Sequence, residues 1–330
     1  MHPSEALFQG RHLPATLPVC DHYAGAEKLM RKSLTLQQAI GPRFDITFDC
    51  EDGAAASAES AHAEMVGTLI ASDDNRFDRV GVRVQDFRHP SFELSVRIIC
   101  ALASKRLAYV TVPKIGSAAE LEHVVSIVNR YAEKAGRFGL PIQVLIETHG
   151  ALTDVFAIAR HPQVQALSFG IMDFVSAHYG AIPSGAMRSP EQFLHPLVRR
   201  AKLEIAAACH AFGKVASHNV TTEINDTNLV MEDARCARRE FGYGRMWSIH
   251  PNQIEPILAA FTPSQPEIVE ASTILCSAFA KNWAPIQHNG TLHDRASYRY
   301  YWTVLQRARL SGMQLPDAAA EFLRQHMERQ

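Results

Sequence analysis

Seven short apolar runs recur along the chain, and each closes on a charged residue or a histidine. They are FDITFDCED (44–52), RVGVRV (79–84), LAYVTVPK (107–114), IQVLIET (142–148), ALSFGIMD (166–173), GKVASHN (213–219) and GRMWSIHP (244–251). Within them the apolar positions are nearly continuous rather than alternating, which is the pattern of strands buried on both faces of a parallel sheet. The closing residues Glu51, Arg83, Lys114, Glu147, Asp173, His218 and His250 follow one another at 26 to 45 residues, room for a strand, a helix and two short loops. Helical spacing fills the intervals. Leu94, Ile98 and Leu102 mark a helix over about 91–104, and Ser117 with Glu120 three residues on marks the start of another that ends near Gly136. Further helices are expected over about 25–40, 150–160, 190–212 and 226–241, and the Ala-rich stretch from Gly53 to Ser72 favours one more.

An alternation of this kind, with LPATLPV (13–19) as the first strand, predicts an α/β fold: a (β/α)8 barrel of the TIM type over residues 1–263, after a loose start at 1–12. Beyond residue 260 the grammar stops. Residues 264–330 read as a C-terminal helical appendage, one helix followed by a turn and a second helix, able to fold over the mouth of its own or a neighbouring barrel. A barrel gathers the C-terminal ends of its strands around one mouth, so two carboxylates, an Arg and a Lys are expected to meet there. The Gly-, Pro- and Ser-rich loop after Asp173 is expected to shape access to that mouth.

Composition narrows the function. The 330 residues carry a net charge of −1 without long basic or acidic runs, which gives no sign of a nucleic-acid or membrane partner. Six scattered cysteines without a C-x-x-C motif read as reduced core thiols, and the absence of a leader pattern or of an apolar run of about 18 residues points to the cytoplasm. The 16 histidines form no zinc pattern.

Glu147 and Asp173 are the strongest chemical signal, because two carboxylates from neighbouring units that leave room for water and substrate oxygens are the usual holders of Mg²⁺. The competing reading of each acid is a helix cap or a partner for a surface Lys. His250 reads as a buried residue holding a turn by a backbone hydrogen bond. His218 and Asn219 read either as substrate contacts or as turn elements, and Lys114 as a rim cation, a partner of Glu51 or Glu147, or a Schiff-base amine. His149 reads as a solvated helix-start residue, and YRYYW (298–302) as packing or a subunit contact.

Seven motifs in order carry a family resemblance: FDCEDGA (48–54), VRVQ (82–85), VPKIGSAAEL (112–121), IETHGAL (146–152), FGIMDF (169–174), SIHPNQI (248–254) and FTPS (261–264), with a weaker match at NGTLHDRASY (289–298). In these segments the chain resembles the citrate lyase β-subunit-like family of the HpcH/HpaI aldolase superfamily. The resemblance implies Glu147 and Asp173 as Mg²⁺ ligands and Arg83 as the group that stabilises an enolate or bound 2-oxo acid. It also implies Glu51 and Asp52 as acids supporting that centre, and Gly170, Ile171, Met172 and Lys114 as substrate contacts. Asp294 corresponds to a flap aspartate that some members bring over the site, often from a neighbouring subunit; as an Asp in a polar turn before a helix it reads equally as an N-cap. Departures fall at Cys50 for Leu, Gly53 for Ala and Gln85 for Asn, and in the segment 216–228. Many members also carry an Arg in the first strand; LPATLPV has none, although Arg11, Arg31 and Arg43 are near in sequence.

The expected activity is a Mg²⁺-dependent carbon–carbon lyase that cleaves or forms a β-hydroxyacyl thioester, giving acyl-CoA and a 2-oxo acid such as oxaloacetate or glyoxylate. Cleavage next to a carbonyl leaves an enolate; a divalent cation polarises the carbonyl and a fixed guanidinium meets the charge. Two other readings stand beside it: a pyruvate aldolase acting on free hydroxy-diacids, and a barrel subunit that depends on an acyl carrier protein. A homotrimer or hexamer is expected in each case.

Overall fold

A computed structural model of the protein describes residues 3–8, 15–52 and 58–327. Eight parallel strands close into one barrel in chain order: β1 (Cys20–Ala24), β2 (Asp45–Asp49), β3 (Val80–Arg83), β4 (Leu107–Val112), β5 (Ile142–Ile146), β6 (Val164–Phe169), β7 (Val215–His218) and β8 (Arg245–Ser248). The ring is sealed by β1 against β8, with Cys20 opposite Met246. This is the expected TIM barrel. The seven runs each supply a strand, and helices Glu27–Ile40, Phe92–Ala103, Ala118–Lys134 and Thr227–Phe241 fall where helical spacing put them. The Ser117 hydroxyl accepts a hydrogen bond from the Glu120 N–H, the cap that the sequence announces.

The first strand is a correction. Ala15–Pro18 are not in a strand, and β1 is the later and more polar CDHYA; Leu13, Pro14 and Arg11 lie outside the described residues, as do Gly53 and Ala54 of the second motif. A search for apolar runs passes over β1 because the barrel interior here is charged. Arg245, with no exposed surface, reaches Asp45 at 2.5 Å and Asp21 at 2.8 Å, and Asp21 also accepts from Thr47 (2.8 Å) and from Tyr109 (3.0 Å). Desolvating these groups costs several kcal/mol per ion, roughly, which only their mutual hydrogen bonds offset. Gly81 on β3 makes room for the Tyr109 ring, since a Cβ there would run into it.

Two expected helices are interrupted. The 150–160 region is split into His149–Thr153 and Val155–Arg160, and 190–212 into Glu191–Leu194 and Pro196–Ala211. In the second case Pro196 restarts the helix at a position whose N–H needs no partner. The long segment after Asp173 is not bare loop, because it carries a helix at Ile171–Ser176 and a 3-10 turn at Ser184–Met187.

The chain divides into two compact units, Ala15–Phe261 and a second made of Met1–Pro14 with Thr262–Gln330. Of the start expected to be loose, residues 3–8 are not: helix Pro3–Phe8 joins the second unit, burying Ala6 and Leu7 with Leu275, Trp302 and Leu305. That unit holds helices Gln265–Ala280, Arg295–Leu310 and Asp317–Met327 and a two-stranded hairpin, Ile286–His288 with Thr291–His293, which the helical reading omitted. Tyr298 and Trp302 of the aromatic stretch are buried there, whereas Tyr300 is exposed. None of the described helices is long and apolar enough to cross a membrane.

Candidate active site

At the C-terminal ends of the strands a cavity of about 230 Å³ is lined by Tyr23, Arg83, Glu147, Gly170, Ile171, Met172, Asp173, Asn219 and Trp247, among others. Six strands and the turns that follow them thus contribute to one space. It contains Arg83, Glu147, Asp173 and the Gly170–Met172 segment, as the sequence led one to expect.

Glu147 follows β5 directly and is 3% exposed. Its Oε1 accepts a 2.7 Å hydrogen bond from the backbone N–H of Lys114. Lys114 adopts a left-handed conformation (φ 52°), uncommon for a residue with a side chain, and this turns its N–H toward β5. The other carboxylate oxygen faces Gly170, where a Cβ would collide with it. Glycine at this position leaves the space open. Burial, then the nearby charge of Asp173, pushes the Glu147 carboxyl up to about 8. Asp173, in the first turn of helix Ile171–Ser176, is half-buried. Two acids lining one cavity are a place that favours a cation. The described residues include no group of three or more His, Cys, Asp or Glu able to hold a metal. A two-carboxylate set suits Mg²⁺, which keeps several waters or substrate oxygens of its own.

Arg83, the last residue of β3, is held from three sides. Its Nε donates to Asp49 Oδ1 (2.6 Å), its Nη2 donates to Asp49 Oδ2 (3.0 Å) and to the Tyr23 hydroxyl (2.9 Å), and its Nη1 lies 3.1 Å from Glu51. Tyr23 in turn donates to Asp49 and stacks on Trp247, ring centroids 5.9 Å apart. With Nε and Nη2 saturated, Nη1, which carries two hydrogens and pairs with Glu51 on one side, is the nitrogen able to serve a ligand as well. Asp49, Tyr23 and Trp247 were not among the sequence candidates. Asp49 could have been found, because β2 and β3 end on an acid and a base that stand opposite each other in register.

Glu51 bridges Arg83 and the Lys114 ammonium, and Asp52 meets the same ammonium at 3.0 Å. Against the burial that lowers it, hydrogen bonds to these two acids hold Lys114 above its ordinary range. Lys114 therefore pairs with Glu51 through its side chain and with Glu147 through its backbone.

The remaining candidates fall elsewhere. His218 is fully buried and bonded to Lys202 rather than facing the cavity, while Asn219 lines it. His250 is half-buried, not buried, and accepts from the Asn252 N–H as a turn cap (3.3 Å). His149 is exposed and packs on His178. Asp294 belongs to the second unit, where its carboxylate accepts from the Ala296 N–H (2.8 Å) in a capping box with Ser297.

A closed parallel barrel with paired acids and a braced guanidinium at its strand ends is the framework of a TIM-barrel enzyme. Residues 30–251 match the family model for HpcH/HpaI aldolase/citrate lyase, and the chain belongs to that family of carbon–carbon lyases. It is 55% identical to a citrate lyase from Burkholderia xenovorans LB400 of known crystal structure, with a TM-score of 0.85 over 98% of this chain and 99% of that one. An L-malyl-CoA/β-methylmalyl-CoA lyase of Cereibacter sphaeroides is 27% identical over 295 residues, 85% of this chain and 92% of its own. The protein CitE from Mycobacterium tuberculosis, crystallised with magnesium, acetoacetate and coenzyme A, shares the fold at 20% identity and a TM-score of 0.67 over 89% of this chain and 99% of that one.

Proposed function

We propose that this protein is a Mg²⁺-dependent lyase that cleaves or forms a β-hydroxyacyl thioester, exchanging it for acyl-CoA and a small 2-oxo acid such as oxaloacetate or glyoxylate. The observation that carries the reading is the Glu147–Asp173 pair, two acids in one cavity with the Arg83 guanidinium that Asp49 holds in place. Glu147 and Asp173 would hold the metal, which when bound would supply Lewis-acid polarisation of a 2-oxo carbonyl. Arg83 Nη1 donates to the oxygen on which enolate charge gathers, and Asp49 and Tyr23 keep it aimed there. Glu51 restrains both Arg83 and Lys114, and Asp52 restrains Lys114 alone. Gly170, Ile171 and Met172 contact the acid, and Lys114 stands at its approach. At about 230 Å³ the cavity is smaller than the roughly 300 Å³ of the smallest usual ligand pockets, which suits a short acid and leaves most of a CoA arm outside.

Asp294 caps its helix through one carboxylate oxygen, and we assign it that duty rather than proton transfer. The active species is proposed to be a homotrimer or hexamer, which light scattering on the purified protein tests.

The deciding assay incubates the protein with acetyl-CoA and glyoxylate, and separately with L-malyl-CoA, with Mg²⁺ or with EDTA. Mg²⁺-dependent formation and cleavage of the thioester is expected. Equal turnover in excess EDTA removes the metal reading. Turnover of free hydroxy-diacids alone, with thermal protection by pyruvate and none by CoA, moves the protein to the pyruvate aldolases. Turnover only with an added acyl carrier protein makes it a carrier-dependent subunit.

A further inference from the structure

Behind the cavity wall lies a buried amine that the reaction above does not use. Lys202, on helix Pro196–Ala211, has no exposed surface. Its ammonium donates to Asn219 Oδ1 (2.7 Å), Gln192 Oε1 (2.9 Å) and His218 Nε2 (2.5 Å). His218 Nδ1 lies 3.1 Å from the Asn219 carbonyl oxygen; that places the imidazole proton on Nδ1 and leaves Nε2 free to accept. Asn219 spends its remaining hydrogens on Gln192 Oε1 (2.9 Å) and the Val220 carbonyl (2.9 Å). The ring of bonds is closed, and every hydrogen of the ammonium has an acceptor.

This cluster touches the cavity at two strand ends. Asn219 and Val220, directly after β7, line it, and so does Phe169 at the end of β6, whose ring centroid is 5.7 Å from the Lys202 nitrogen. Phe193 covers the amine from another side at 4.5 Å and stacks on His218. The same wall is stitched further along: Asp233 accepts from Thr221 (2.7 Å), and Gln253 donates to the Thr221 carbonyl (2.8 Å) and accepts from the Ile249 N–H (2.9 Å). Stability does not ask for a lysine at such a place, because an apolar residue of similar volume spares the desolvation of a charge. A fixed wall beside the cavity does ask for one, because a single ammonium here ties a helix to the segment that follows β7.

We propose that Lys202 is a positioning residue of the active site, whose buried ammonium clamps the Asn219–Val220 wall and so holds the shape of the acid cavity. The kinetic part of this inference rests on the lyase reading; the structural part does not.

The test compares wild type, Lys202→Met, Asn219→Ala and the double variant by amide hydrogen exchange over residues 215–223 and by steady-state kinetics. Faster exchange in that segment is expected in both single variants, with protection over β5 unchanged. A small displacement of reacting groups costs up to about a hundredfold in rate, so each single variant is expected to lose roughly ten- to a hundredfold in kcat/KM. If Lys202 acts through Asn219, the double variant loses no more than the weaker of the two singles. Wild-type exchange in Lys202→Met, or losses that multiply in the double variant, overturns the proposal. Should Lys202→Met fail to fold, Asn219→Ala decides: faster exchange over 215–223 supports the clamp and wild-type exchange overturns it. If wild type turns over no thioester, the lyase reading fails alone and the exchange measurement still judges the clamp.

Discussion

Asp49 and Arg83 stand opposite each other in register on β2 and β3, joined by two hydrogen bonds of 2.6 and 3.0 Å. The bidentate pair fixes the plane of the guanidinium before any ligand arrives. Asp49→Asn keeps the shape and gives up the charge and one acceptor. Its kcat/KM is expected to fall by about ten- to a hundredfold, mostly through kcat, because the lost interaction aims Arg83 at developing charge. Kinetics at saturating acid check this; an unchanged kcat shows that Arg83 needs no such support.

Removing one of the two cavity acids separates metal binding from folding. Asp173→Ala is expected to abolish Mg²⁺-dependent turnover while leaving the barrel folded. In metal-free buffer the variant is expected to melt no lower than wild type, since the charge that disfavours ionised Glu147 is gone. Adding Mg²⁺ raises the melting temperature of wild type by mass action and leaves the variant where it was. Thermal melts with and without Mg²⁺ check both halves.

The raised carboxyl of Glu147 gives a pH dependence with a definite sign. An acid that holds its proton more tightly when folded contributes stability that is fully present below its ordinary value of 4.5 and is lost as pH rises through about 8. Metal-free protein is thus expected to lose this contribution across that window, while affinity for Mg²⁺ grows over the same range as the cation displaces the proton. Glu147→Gln flattens the Glu147-dependent part of both trends. Melts at several pH values, with and without Mg²⁺, provide the measurement.

The barrel was legible because its outer face is apolar wherever helices cover it, so seven runs announced themselves. β1 was hidden by the same logic, since Asp21 and His22 are buried in it and the apolar stretch just upstream looked the better strand. In the site, acids and bases that end strands could be read directly. Lys202 could not: on a helix a lysine reads as a solvated face, and only tertiary packing reveals that it points into a cage. Asp294 was legible as chemistry and as a cap at once; its local geometry shows the cap.

The charged layer around Arg245 predicts an asymmetry in stability. Arg245→Met strands Asp21 and Asp45 in a buried space and is expected to cost about 3–5 kcal/mol. Replacing all three by apolar residues of matching volume is expected to recover most of that. Urea denaturation of both variants tests the contrast.

At Asp294, alanine removes a cap and is expected to lower stability by about 1 kcal/mol, whereas serine can still accept from the helix N–H groups and should restore it. Turnover is expected to follow the cap rather than the carboxylate. Loss of activity in Asp294→Ser at wild-type melting temperature makes the carboxylate itself catalytic.

Helix Pro3–Phe8 shares its core with residues beyond Thr262, so this segment cannot be housed until a stretch about 260 residues further along has been made. The barrel has all its staves in hand earlier and can close during synthesis. Until those residues emerge, Ala6 and Leu7 wait without cover. A truncation shortly after Phe261 would leave a closed barrel trailing a sticky leader at its front.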